Sequence, residues 1–96
     1  MAECNIDQIT RKLKLAIESN DRAKIVECCN QYLMHLDELE LDFIVPVYNA
    51  LAIAHLRLEH YLLSYQSSIR SLELDGSDKN EIGHKILNIV KAKISE

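Results

Sequence analysis

Apolar residues recur along this chain at helical spacing, in five runs separated by polar or turn-forming residues. Ile6, Ile9, Leu13, Ala16 and Ile17 form the first stripe, with Arg11, Lys12 and Lys14 on the remaining surface. It predicts a helix from about Asn5 to Ser19, with Asn5 as N-cap and Gln8 completing a capping box. Ser19-Asn20-Asp21 then reads as a turn and a new cap. A second helix follows to about Leu36, its inner stripe being Ile25, Cys28 or Cys29, Tyr32 and Leu36. The third run, DFIVPVYNALAIAHLR from Asp42, is apolar almost all the way round. A helix of that kind belongs in the middle of a structure, with neighbours on several sides. Its main stripe is Tyr48, Leu51, Ala52 and His55. Asn49, Ile53, Leu56 and Arg57 make a second face that carries two large apolar residues. Glu59-His60 shifts the phase, and Tyr61, Tyr65, Ile69, Leu72 and Leu74 mark a fourth helix ending at Asp75-Gly76. Ile82, Ile86, Ile89 or Val90, and Ile94 mark a fifth.

Short breaks force neighbouring helices to lie antiparallel. The expected fold is therefore all-α: five helices in a single domain, as two antiparallel αα-hairpins (5–36 and 42–75) and a C-terminal capping helix (78–94). Asp78 with Glu81 three residues later is a capping-box signature for that last helix. Asp37 to Leu41 is the linker between hairpins. Asp42 is suited to cap the third helix, and Pro46 is expected in or near its first turn, where a missing N–H costs least.

Residues 42–75 resemble a tetratricopeptide repeat, a pair of antiparallel helices about 34 residues long. Tyr48 stands at the family's first aromatic, Leu51-Ala52 at its Leu-Gly pair, and His55 at the next aromatic. Tyr61 takes the tyrosine that opens the second helix. Ser64 and Ser71 sit at the small-residue positions, and Leu72-Glu73-Leu74-Asp75 matches the usual ending. Ser68, Glu59 and Gly76 depart from the pattern, where the family has a large aromatic, a glycine and a proline. Residues 5–36 repeat the plan loosely, Ile25 pairing with Ser64 at a spacing of 39. The resemblance implies that the first helix of each hairpin lines a concave groove for a partner's peptide. On this chain it implies that Pro46, Asn49, Ile53, Leu56 and Arg57 line that groove. Repeats that clamp the C-terminal carboxylate of heat-shock chaperones use an asparagine where Ala50 stands here, so a clamp of that kind is not expected.

Composition narrows the function. Ninety-six residues with two glycines and one proline suit short connections between helices, and 48% apolar residues make a globular chain. A net charge of −4 with scattered Lys and Arg disfavours nucleic acid. No stretch approaches the roughly 20 apolar residues of a membrane span. The N-terminus has no secretory pattern, so cytoplasm or nucleus is the expected compartment.

Chemistry is sparse. Cys4, Cys28 and Cys29 lack metal-ligand spacing and read as buried free thiols. The acidic cluster Asp37, Glu38, Glu40 and Asp42 lacks the ordered glycine loop of a calcium site. His35, His55, His60 and His84 are dispersed, and His55, on the core stripe, reads as a hydrogen-bonded structural residue. Without a nucleophile motif or a phosphate loop, the chain is expected to be no enzyme and to need no cofactor or metal. The expected function is protein–protein interaction, as a small adaptor or assembly subunit. Two other readings stay open: a compact helical bundle like those at the N-terminus of transcription elongation factors, and a homo-oligomeric structural subunit that buries the second face of the third helix between copies. The run from Leu58 to Ser71 is too long for the short fourth helix of the former.

Overall fold

The computed structural model describes residues 6–35 and 39–95. Its described residues form α1 (Ile6–Glu18), α2 (Arg22–Leu33), α3 (Leu41–Arg57), α4 (Tyr61–Leu74) and α5 (Glu81–Ser95), with no strand among them. The protein is all-α. Each helix packs on the next, and α3 also reaches α5, giving a stack of 46 × 26 × 20 Å. As its all-round apolarity predicts, α3 is the hub. It buries Val45, Val47, Leu51, Ala52, Ala54 and His55 against three neighbours, α2, α4 and α5.

The two hairpin turns have the same geometry, at positions 39 residues apart. Asn20 and Glu59 both enter the left-handed region, with φ of 56° and 63°. Asp21 N–H then reaches back to the carbonyl of Ala16, and His60 N–H to that of His55, at 2.9 and 2.8 Å. Asn20 N–H bonds Ile17 O, and Glu59 N–H bonds Leu56 O, which completes the same helix-ending motif in both hairpins. Asn20 enters the left-handed region easily, whereas Glu59 does so where a glycine would be unstrained. The correspondence continues between the helices. Tyr32 Oη donates to Thr10 Oγ1, and Ser71 Oγ, 39 residues on, donates to Asn49 Oδ1. Val47 and Leu51 face α2 from α3, and Ile86 and Val90, again 39 residues on, belong to the cluster beyond α4. α5 thus repeats the role of α3, but exposed Lys91 stands where α3 buries Ala52. The outer face of α5 is nevertheless not uniformly polar, since Ile82 and Ile94, expected on its apolar stripe, are 51% and 44% exposed, and Ile89 is 47% exposed.

Two apolar clusters hold the stack. One joins Ile9, Cys28, Cys29, Tyr32, Val47 and Leu51. The other joins Ala52, Ile86 and Val90, flanked by Ile53, Leu56, Tyr61 and Tyr65. Between α3 and α4 the contact is made by small residues. Ser64 Oγ donates 2.7 Å to the backbone carbonyl of Ala52, an approach that larger side chains would prevent. Ser68 is fully buried and returns its hydroxyl to Ser64 O on its own helix.

Helix ends differ from the sequence reading at three points. The cap expected at Asp78 falls on Asn80, whose Oδ1 accepts the Gly83 N–H at 3.2 Å. Asn80 wins because its amide also finds buried partners, whereas Asp78 is exposed. α3 starts at Leu41, with Glu40 at the cap position and no side-chain bond, and Asp42 lies in the first turn. Pro46 is therefore the sixth residue of α3 and not in its first turn. It is tolerated because it and Asp42, whose carbonyl loses the partner, are both exposed to water. Asp21 caps α2 as expected, accepting from Lys24 N–H at 3.1 Å. The expected cap Asn5, the end of the second helix at Leu36, Cys4, and linker residues Asp37 and Glu38 lie outside the described residues.

Candidate functional site

Where α3, the end of α4 and the start of α5 meet, three polar side chains close a ring. Asn80 Nδ2 donates to Ser71 Oγ at 2.8 Å, Ser71 Oγ donates to Asn49 Oδ1 at 2.6 Å, and Asn49 Nδ2 donates to Asn80 Oδ1 at 2.9 Å. All three residues are buried, with exposures of 4%, 0% and 8%. Asn80 Nδ2 also bonds Asp75 O at 2.8 Å, which pins the α4–α5 turn. A buried, satisfied polar network of this kind specifies a single packing, and half-satisfied it is costly. Gly83 is part of it. A Cβ at this position would lie 2.8 Å from Asn80 Nδ2 and 2.9 Å from its Oδ1. Gly83→Ala, which ordinarily stabilises a helix by about 1 kcal/mol, is here expected to destabilise by about 1–3 kcal/mol in urea unfolding, because the ring must open to admit the methyl group.

The ring forms the back of a cleft of about 710 Å³ between α3 and the start of α5. Its apolar floor is Leu41, Val45, Pro46, Ala50, Ile53 and Ile82. Leu41 and Ile82 are each 51% exposed, so this is an open apolar surface. The rim is polar: Asp42, Asp75 and Glu81, with Lys79 as the one cation lining it among the described residues. The Ser77 hydroxyl and backbone N–H hold the Asp75 carboxyl below the usual range.

The five residues assigned to a groove divide here. Pro46, Asn49 and Ile53 line the cleft, while Leu56 and Arg57 do not. Asn49 is spent on the ring and has its carbonyl oxygen occupied by Ser71. Ile53 and Leu56 are half-buried against the cluster of Ala52, Ile86 and Val90, so the chain itself covers much of the second face of α3. Arg57 is exposed at the end of the helix. The sequence places Ile82 on the apolar stripe of the fifth helix, Asp42 in an acidic linker cluster, and Asp75 and Glu81 at helix ends; that they border one cleft with Leu41 follows from no local pattern. Gly83 was the available signal for the ring, since a glycine inside a helical pattern marks a close approach.

The remaining chemistry-bearing residues are separate from the cleft. Cys28 and Cys29 are free and buried, and burial pushes the Cys29 thiol up to about 12, so neither is a nucleophile at neutral pH. No group of three His, Cys, Asp or Glu among the described residues is placed to hold a metal ion, and no described helix is long and apolar enough to cross a membrane. His55 is buried as expected, but its Nδ1 has no hydrogen-bond partner. Burial, with His60 nearby at 5.7 Å between ring centroids, lowers its pKa. The unfolded chain therefore takes up this proton first, near pH 6.5. Stability is complete above that value and falls as the pH drops toward the lowered native pKa. Between pH 7.5 and 5.5 the melting temperature of the native protein should drop further than that of His55→Gln.

Compared with known proteins, the chain matches no family model, no curated protein and no solved structure.

Proposed function

We propose that this protein is a non-catalytic protein-interaction module, an adaptor or assembly subunit that receives a partner segment in the cleft between α3 and α5. The carrying observation is the open apolar floor, with Leu41 and Ile82 each half in water beside a rigid, fully bonded polar ring. Burying a large aliphatic side chain is worth about 1.5–3 kcal/mol, so a partner that covers both residues gains without reorganising the helices beneath. The stacked helical hairpins, with their turn geometry repeated 39 residues apart, agree with the tetratricopeptide-like plan read from residues 42–75. Among the described residues, no thiol or imidazole lines the cleft.

Leu41→Asp combined with Ile82→Asp is the test. Both side chains are exposed, so the double variant should melt within a few degrees of the parent. Cross-linked partner capture from the native host should be lost in it and kept in a control, Ile17→Asp, on the exposed side of α1. Sedimentation of both proteins decides whether the captured partner is a second copy. Capture that survives the double variant removes the cleft as the binding site.

A further inference from the structure

The occupant of the cleft can be narrowed by its charge and shape, on the reading that the cleft binds a protein segment. Among the described residues, three carboxylates, Asp42, Asp75 and Glu81, stand around the apolar floor against one lining lysine, Lys79. Glu81 is also paired with Lys85 at 3.2 Å, but both side chains are more than 70% exposed, so water and salt weaken that pair and leave the carboxylate open to a better partner. Glu40, exposed at the start of α3, adds to the same sign. The surface that borders the cleft is therefore acidic. An acidic rim repels phosphate backbones and anionic lipid. It also disfavours a second copy across a two-fold axis, because a self-complementary contact would set the rim against itself.

The walls are helices and present no strand edge, so an extended peptide has no ladder to join. Recognition must come from side chains: aliphatic residues on the floor and cations at the rim. An amphipathic helix presents both at once, with an apolar stripe at i, i+3, i+4 and i+7 and charges on its flanks. Ile89 lies one heptad beyond Ile82 on the same stripe of α5 and is 47% exposed, which extends the apolar track along that helix. We infer that the cleft between α3 and α5 takes a cationic amphipathic helix of a partner protein, its aliphatic face on Leu41, Pro46, Ile53 and Ile82 and its Lys or Arg side chains against Asp42, Asp75 and Glu81.

Three 15-residue helical peptides test this, identical in their Leu/Ala stripe and carrying Lys, Gln or Glu on the polar face. Affinity is read by fluorescence anisotropy, and location by amide shifts in the full-length protein. The Lys peptide should bind about tenfold tighter than the Gln peptide and tighter again than the Glu peptide, with shifts confined to residues 41–53 and 75–89. Raising NaCl from 0.05 to 0.5 M should remove most of that advantage, since the screening length shrinks several-fold. Asp42→Asn with Glu81→Gln, which keeps side-chain size, should bring the Lys peptide down to the Gln peptide. Equal binding of the Lys and Gln peptides within the cleft overturns the inference and leaves the cleft as an interaction site. If no peptide shifts the cleft residues, both the inference and the proposed function fall. Lys-peptide binding mapped elsewhere on the protein also overturns the inference.

Discussion

Asn80→Ala is expected to lower the unfolding free energy by about 3–5 kcal/mol. The Asn80 side chain accepts from Asn49 and Gly83 and donates to Ser71 and Asp75. Truncation takes away the partner of Asn49 Nδ2, Gly83 N–H and Asp75 O, at roughly 1–3 kcal/mol for each buried group that water cannot reach, while Ser71 Oγ keeps its bond to Asn49 Oδ1. It also removes the N-cap of α5, worth about 1 kcal/mol. The costs overlap, because neighbours of one network do not add. Asn80→Asp separates them. A carboxylate keeps the acceptor for Gly83 but cannot donate to Ser71 Oγ or Asp75 O, so it should recover only part of the loss. Urea midpoints at constant slope are the measurement. A loss below 1 kcal/mol for Asn80→Ala would show that the ring contributes little to stability.

The second large effect is Leu51→Ala, at about 2–5 kcal/mol, the usual range for a buried leucine. Leu51 is 5% exposed and joins α3 to the cluster of Ile9, Cys28, Cys29, Tyr32 and Val47. Against a total of roughly 5–10 kcal/mol for a domain of this size, either substitution leaves a marginal protein. The two should differ in place. The helices stack in series, and each packs mainly on its neighbours, so a defect is felt most on its own side of α3. Amide exchange should accelerate first in α1 and α2 for Leu51→Ala, and first in α4 and α5 for Asn80→Ala. Uniform acceleration in both variants would mean that the stack unfolds as one unit.

The cleft was half legible in the sequence. Ile53 belongs to the excess apolar face of α3 and Pro46 to the groove positions that the tetratricopeptide resemblance implies, and both line the cleft. Leu56 shares that face by periodicity, yet packs against the cluster of Ala52, Ile86 and Val90 and does not line the cleft. A helical wheel shows which residues share a face. It does not show where along that face the next helix crosses. Ile82 and Leu41 complete the floor from a different helix and from the first residue of α3, and no local pattern connects them.

By itself the sequence determined the five helices, their order, the two tight hairpin turns and the central place of α3. Those follow from local chemistry: the 3.6-residue period, the residues that suit the Asn20-Asp21 turn, and the apolarity of Leu41–Arg57 on all sides. The inert thiols were legible for the same reason, since Cys28 and Cys29 lie on a buried stripe. Tertiary structure alone decided which residue caps α5. Asp78 and Asn80 are both good caps by local preference, and the choice falls to Asn80 because its partners Asn49 and Ser71, 31 and 9 residues away, wait in a buried corner. It also decided that the Asn49 side chain bonds Ser71 and Asn80 in that corner. Hydrogen bonds across helices depend on how the helices cross, and that geometry forms only when the whole stack is assembled.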